Sequence, residues 1–466
     1  MSADTKPNIL LLFTDDQRFD TISALGYPVN TPNIDRLVGD GTTFLNAYIM
    51  GGSSGAVCMP SRAMLMTGRT LYHLDRQGQD IPRAHTMLGE ALQAAGYETF
   101  GTGKWHNGPD AYARSFTQGA EIFFGGMDDH WNVPACDFDP TGAYDSVHPV
   151  VRNAFGSNQV SSRHVDHITF GKHSSELFAD AIIEFLEAYS GDAPFFGYVA
   201  FMAPHDPRTM PREYLEMYPP EDVELPPSFM PRHPFDNGEL VVRDELLAGF
   251  PRTEEEIRRH NAEYYAMISH LDAQIGRILD TLEARGLRDN TIIVLAGDNG
   301  LAIGRHGLMG KQSMYDHSLH VPLLMAGPGI PANETREAYT YLLDIYPTLC
   351  DLIGVPVPAS VEGESLAPAL RDPDVMVRDN LHFAYRGCQR AVQDRRYKLI
   401  EYVVNGERTT QLFDLAEDPW ELNNLAGEPR CQPKLDELRQ ALRRWQRELD
   451  DNQPGQGADF WEGYTS

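Results

Sequence analysis

Cysteine is scarce in this chain of 466 residues, and so is positive charge. The five cysteines (Cys58, Cys136, Cys350, Cys388 and Cys431) are odd in number and widely spread, with no paired spacing. That argues against a disulfide framework and against a structural zinc site. Lysine and arginine total 39 against 67 acids, a formal net charge of −28. So acidic a surface repels nucleic acid and anionic lipid head groups, and neither is expected as a partner. No apolar run is long enough to span a bilayer. The segment Met1 to Lys6 lacks the basic start, apolar stretch and small-residue cleavage site of a secretory signal, so a cytoplasmic location is expected. Repeats and low-complexity tracts are absent as well.

What is present is an ordinary globular composition, 42% hydrophobic and 23% charged. Asn8 to Thr14 is a continuous apolar run ending in Asp15 and Asp16. A run apolar on both faces predicts a central strand of a sheet covered by helices. Similar runs recur at Phe195 to Met202, Thr291 to Ala296 and Val321 to Ala326. Helical patterns alternate with them at His85 to Ala95, Ser175 to Tyr189 and Glu254 to Arg285. The alternation predicts one large α/β domain over residues 1–371 with a mostly parallel sheet. Ligands collect at the carboxyl ends of strands in such sheets. Asp15, Asp16, His205, Asp298 and Asn299 each follow directly after a predicted strand, which points to a shared site.

The charged stretch Asp372 to Asp379 reads as a linker. A small α+β domain (372–451) is predicted beyond it, with strands at Leu381 to Tyr385, Tyr397 to Tyr402 and Thr410 to Asp414 and a helix at Pro433 to Leu449. Residues 452–466 read as a tail. Its Phe460, Trp461 and Tyr464 make it a candidate contact with a neighbouring subunit of a homo-oligomer.

The sharpest motif is Cys58-Met-Pro60-Ser61-Arg62, followed by Thr67-Gly68. A lone cysteine is usually a small buried hydrophobe, but Cys58 follows the flexible lead-in Gly51-Gly-Ser-Ser-Gly-Ala-Val rather than an apolar strand. The pattern resembles that of the type I, formylglycine-dependent sulfatases of the alkaline phosphatase-like superfamily. The resemblance implies that a formylglycine-generating enzyme oxidises Cys58 to an aldehyde. Hydrated, that aldehyde offers one hydroxyl to attack sulfur and a second to release sulfate, covalent catalysis with its own exit.

The nucleophile needs a lowered pKa, which a divalent cation supplies. Asp15, Asp16, Asp298 and Asn299 offer oxygen ligands alone, the set preferred by hard cations. Either acidic pair alone would read as loop or cap residues. Together they match the family's metal site, with the residue at 58 completing the shell. The resemblance implies calcium, with Mg²⁺ or Mn²⁺ as alternatives. Gly101-Thr-Gly103-Lys104-Trp105-His106 is similar to the family segment in which the lysine meets the sulfate and the histidine meets the formylglycine hydroxyl. His205, in Ala203-Pro204-His205-Asp206-Pro207, and Lys311 correspond to the pair that stabilises and protonates the leaving alkoxide. Arg62 would support the nucleophile and the metal ligands.

Tyr315 to Pro322 resembles a further family segment, although His320 stands where arginine is usual. Leu412 to Leu425 is similar to a strand and turn near sulfatase C-termini. His306 and His317 read equally as site or structural residues, and Phe123 to Trp131 as pocket wall or core. The expected reaction is hydrolysis of a small aryl or sugar sulfate monoester to alcohol and sulfate. A phosphonate monoester or phosphodiester hydrolase of the same superfamily is the alternative, disfavoured because Lys104 and His106 are both kept. A non-catalytic glycan-binding relative, in which Cys58 stays a thiol, is the second rival.

Overall fold

A computed structural model describes residues 6–151 and 155–465. Residues 1–5 of the N-terminal segment and Ser466 of the tail lie outside the described residues. The predicted central strand is present as β1, Asn8–Thr14. Its side chains alternate between two cores, as a period of two requires. Ile9, Leu11 and Phe13 enter one core, and Leu10 and Leu12 enter the other. All five are fully buried. Each is worth about 1.5–3 kcal/mol relative to exposure.

Around β1 the large sheet contains β2 (Gly41–Phe44), β3 (Glu98–Trp105), β4 (Gln118–Phe124) and β5 (Phe195–Ala200). It is completed by β6 (Thr291–Gly297), β7 (Leu323–Ala326) and β8 (Glu334–Arg336). The spatial order is β8-β2-β7-β6-β1-β5-β3-β4. β6, β1, β5, β3 and β4 run parallel, and β7 is antiparallel to both β6 and β2. The sheet is therefore the mixed, mostly parallel one predicted.

Helices α2 (Ser174–Ala188) and α3 (Glu254–Ala284) cover the face of Leu10 and Leu12. Phe178, Ile182, Leu271 and Ile275 recur there at helical spacing. The opposite face is packed by α1 (Cys58–Thr67), whose residues are almost all buried. No helix among the described residues is long and apolar enough to cross a membrane.

A second sheet holds β9 (Leu381–Tyr385), β10 (Gln389–Gln393), β11 (Tyr397–Val404) and β12 (Glu407–Asp414), all antiparallel. The short strand Gly51–Gly52, which leads into α1, pairs with β9. The second sheet thus grips the segment that carries Cys58. Helix α4 (Gln432–Glu448) packs its Leu435, Leu438 and Leu442 on this sheet.

The tail forms α5 (Gly457–Thr465) rather than a frayed end. Phe460, Trp461 and Tyr464 are 0%, 5% and 6% exposed and pack on β11 and α4 of their own chain. The spacing 460, 461, 464 puts all three on one helix face, and Trp461 donates a 2.8 Å hydrogen bond to Asp451. These rings are covered within their own chain.

Candidate active site

The sheet register brings the acidic pairs together. Thr14 on β1 pairs with Gly297 on β6, so Asp15 and Asp298 leave adjacent strands side by side. Asp16 has φ of 64°, the left-handed region that aspartate tolerates better than most residues. The Asp16 amide donates to Asp298 Oδ1 at 3.0 Å, and the Tyr264 hydroxyl donates to the Asp16 carbonyl at 2.6 Å. That network holds the turn in place.

Cys58 is the first residue of α1, and Arg62 lies one turn further on the same face. The Cys58 sulfur lies 3.5 Å from Lys104 Nζ and 3.5 Å from His106 Nδ1. Single donor atoms of Asp15, Cys58 and Asp298 all fall within 4.8 Å of one another. Arg62 donates to Asp298 Oδ2 from Nε at 3.0 Å and forms an ion pair with it, a terminal nitrogen lying 2.9 Å away. Lys104 pairs with Asp15, and Lys311 donates to Asp16 Oδ1 at 2.6 Å. His205 donates through Nδ1 to the Asp206 carbonyl at 2.8 Å, and its Nε2 faces Asp16 at 3.7 Å.

All ten site residues expected from the sequence therefore meet in one place. They are Asp15, Asp16, Cys58, Arg62, Lys104, His106, His205, Asp298, Asn299 and Lys311. Most are completely buried, and burial of so many charges sets their protonation. Burial alone would raise the Asp15 carboxyl, but Lys104, His205 and Arg62 outweigh it and hold it well below the usual carboxylate range. Burial, then the Asp15 charge, push Asp298 up to about 7. Burial, with Lys104 adding to it, pushes His106 far down, so its ring is held neutral. Burial opposes the charge on Lys311, yet Asp16 reverses the balance and keeps it protonated.

The cluster also has the chemistry of a cation site. Asp15 Oδ1, Asp16 Oδ2 and Asn299 Oδ1 are buried acceptors with no hydrogen-bond partner. An unsatisfied buried acceptor costs about 1–3 kcal/mol. Three in one cluster, beside a further carboxylate on Asp298, fit a hard divalent ion that prefers oxygen ligands.

A model of the family described as Sulfatase matches residues 7–355, and a second, described as N-sulphoglucosamine sulphohydrolase, C-terminal, matches residues 304–448. The chain belongs to the sulfatase family. It is a sulfuric ester hydrolase with an alkaline phosphatase-like fold. An ulvan-active sulfatase of Formosa agariphila is 30% identical, covering 96% of this chain and 82% of that protein. An arylsulfatase of Clostridium perfringens is 27% identical, with 94% of each chain covered. Among solved structures, a protein in complex with its substrate D-glucosamine-2-N,6-O-disulfate has a TM-score of 0.76 at 24% identity, covering 97% of this chain and 99% of its own. The phosphonate monoester hydrolase of Agrobacterium radiobacter has a TM-score of 0.75 at 24% identity, covering 95% and 96%, a likeness of fold alone.

In this sulfatase the site residues open onto a cavity of about 310 Å³. Cys58, His106, His205 and Lys311 lie at its base. Its upper wall comes from Ala56, Met127, Val242, Arg243, Asp244 and Gln312. Met127 and Val242 to Asp244 lie in the two stretches, Gly119 to Ser174 and Tyr214 to Pro251, where the family resemblance is weakest and substrate-specific insertions are expected; Ala56 and Gln312 lie outside them. No periodicity or motif marks Val242 to Asp244 individually. Within the aromatic stretch Phe123 is core, Phe124 packs on Tyr112 and Tyr144, and Gly126 and Met127 face the cavity. His306 stacks on Tyr315 at 3.9 Å and His317 bonds Ser313, so both are structural.

His320 leaves no deficit where arginine is usual. Its ring stacks between Phe19 and Tyr48, with centroids 4.0 and 4.6 Å away. Lys398 supplies a cation to the neighbouring Asp316 and also bonds Glu421 at 2.8 Å. Glu421 accepts from the Asp316 amide at 2.8 Å. The Leu412 to Leu425 segment is thereby clamped onto the Tyr315 to Pro322 segment.

Proposed function

We propose that this sulfatase hydrolyses sulfate monoesters through a formylglycine made from Cys58 by a maturation enzyme, with calcium held by Asp15, Asp16, Asp298 and Asn299. The observation that carries the reading is the setting of the Cys58 sulfur, flanked at 3.5 Å by Lys104 and His106 and within ligand reach of Asp15 and Asp298. Burial raises the pKa of the thiol itself, which makes an unmodified Cys58 a poor nucleophile. The aldehyde hydrate supplies the attacking and releasing hydroxyls, and the cation supplies the positive charge that lowers their pKa.

The chain's own residues do the rest. Arg62 fixes the Asp298 carboxylate through one Nε hydrogen bond and the ion pair. Lys104 and Lys311, both held protonated by buried carboxylates, provide fixed positive charge for the sulfate oxygens. His106, with Nδ1 3.5 Å from the Cys58 sulfur, is placed to take the proton given up when sulfate leaves. His205, with Nδ1 committed to the Asp206 carbonyl, presents Nε2 to deliver a proton to the departing oxygen.

Mass spectrometry of the peptide covering Cys58, from enzyme made with its maturation partner, should find an aldehyde. Turnover of aryl sulfate should track the aldehyde fraction and vanish after chelation of divalent ions. Full activity from a preparation that carries only thiol at position 58 would refute the proposal.

A further inference from the structure

The alcohol half of the substrate meets the upper wall of the cavity, where the polar side chains pair with one another. Arg243 donates to Asp206 with both terminal nitrogens, one of them at 2.8 Å, and approaches Asp244 at 3.3 Å. Asp244 accepts from Gln312 Nε2 at 2.7 Å. Gln312 Nε2 also donates to the Gly55 carbonyl at 2.9 Å, and Gln312 Oε1 accepts from the Lys311 amide at 3.0 Å. The four side chains form a closed chain of partners. The polar side chains of this wall are thus engaged chiefly with one another.

Of the two basic side chains in the lining, Lys311 serves the sulfate at the base and Arg243 is paired with Asp206. The described cavity lining therefore offers no uncommitted lysine or arginine for a second anionic group beyond the sulfate that enters at the base. What the wall does present is apolar surface from Ala56, Met127 and Val242. Met127 is 42% exposed although it is a large hydrophobic side chain. A cavity of about 310 Å³ lies at the low end for ligand sites, room for a sulfate and one ring.

Resting on the sulfatase reading above, we infer that the substrate is the monosulfate of a compact, neutral, apolar alcohol. An aryl or cycloalkyl ring sits against Ala56, Met127 and Val242. A sugar of the same size would carry its hydroxyls against methyl and thioether groups, where they lose water and gain no partner. A polysulfated chain would bring extra negative charge to a wall without free cations.

The test must cancel the intrinsic reactivity of aryl sulfates. Cyclohexylmethyl sulfate and glucose 6-sulfate are both primary alkyl sulfates on a six-membered ring, and differ chiefly in hydroxyls and the ring oxygen. The formylglycine-bearing enzyme should favour cyclohexylmethyl sulfate in kcat/KM by roughly tenfold to a hundredfold, the usual worth of a few apolar contacts. Met127→Asn and Val242→Asn, at exposed and half-buried positions that the fold tolerates, should narrow that ratio chiefly by raising KM for the apolar substrate. Equal or better turnover of glucose 6-sulfate would overturn the inference while leaving the sulfatase reading intact, as would a ratio unmoved by both variants. Cleavage of phenyl phosphonate esters with no sulfate turned over would remove the sulfatase reading and this inference together.

Discussion

At the scale of single residues, the site depends on side chains placed to a few tenths of an ångström, and a glycine shows how narrow the tolerance is. Gly126 lies beside the His106 ring. A Cβ built on it would stand 3.1 Å from His106 Nε2 and 3.3 Å from Cε1. Its φ is outside the left-handed region, so alanine meets no backbone objection there. Gly126→Ala should therefore leave the melting temperature unchanged and turn the imidazole away from position 58. Misplacement of a catalytic group by about an ångström costs up to roughly a hundredfold in rate. A drop in kcat of roughly tenfold to a hundredfold is expected from steady-state kinetics beside a thermal melt. Unchanged kcat would mean that the His106 position is not critical to turnover.

The ten charged and nucleophilic residues were legible because each lies in a short motif whose members are adjacent in sequence or one helical turn apart. Cys58 and Arg62 share a helix face, and Asp15 and Asp298 end neighbouring strands. Of the wall, the segments were legible as those where the family resemblance lapses, but not the individual residues. Val242, Arg243 and Asp244 belong to a stretch without helical or strand periodicity, and their roles follow from tertiary partners far along the chain.

At the scale of elements, the apolar runs identified their strands to within a residue or two, since burial on both faces leaves a plain hydrophobic signature. β3 had no such signature. Its sequence, Glu98-Thr-Phe-Gly-Thr-Gly-Lys-Trp105, carries two glycines and a lysine, which read as a loop. The glycines have a structural reason. The register of β3 against β4 slips between Gly101 and Gly103, a bulge, and Gly103 adopts φ of 88° there. A Cβ on Gly103 would lie 2.0 Å from the Ala200 carbonyl oxygen, inside the sheet. The same slip aims Lys104 at Asp15, so strand irregularity and site geometry share one cause. Gly103→Ala should be severely destabilising, by more than about 4 kcal/mol, through backbone strain and a backbone clash with no flexible neighbour to yield. Urea denaturation of the soluble fraction measures this, and a loss below about 1 kcal/mol would show that the bulge is not rigid.

The tail misread at the sequence level has a comparable explanation. Glycine and polar residues dominate 452–466 by composition, and three aromatics spaced for one helix face outweigh them once a sheet edge and α4 offer a surface. Composition cannot see that surface.

At the scale of the whole molecule, the interior holds an unusual number of neutral histidines, and they set its response to acid. Burial pushes His130, His233, His270 and His306 down to about 4, His260 and His382 to about 3, and His173 to about 2. In the unfolded chain each would titrate near 6.5. Below that value the unfolded state binds protons that the folded state refuses, so stability is full above about pH 6.5 and falls as the pH is lowered. Four buried carboxyls act the other way: burial raises Asp272 to about 6, Glu421 and Asp298 to about 7, and Glu245 above its ordinary value, so the folded state takes up their protons first. Histidines outnumber these carboxyls, and the net slope keeps the sign set by the histidines. Each unbalanced proton is worth about 1.4 kcal/mol per pH unit. The urea midpoint should therefore fall steadily between pH 7 and pH 5, well before the usual range of carboxylate protonation. His382→Gln, at a fully buried ring bonded to the Tyr72 hydroxyl at 2.7 Å, should flatten that slope by about one proton while lowering stability at pH 7. A midpoint constant from pH 7 to pH 5 would show that these histidines are protonated, and not neutral, in the folded state.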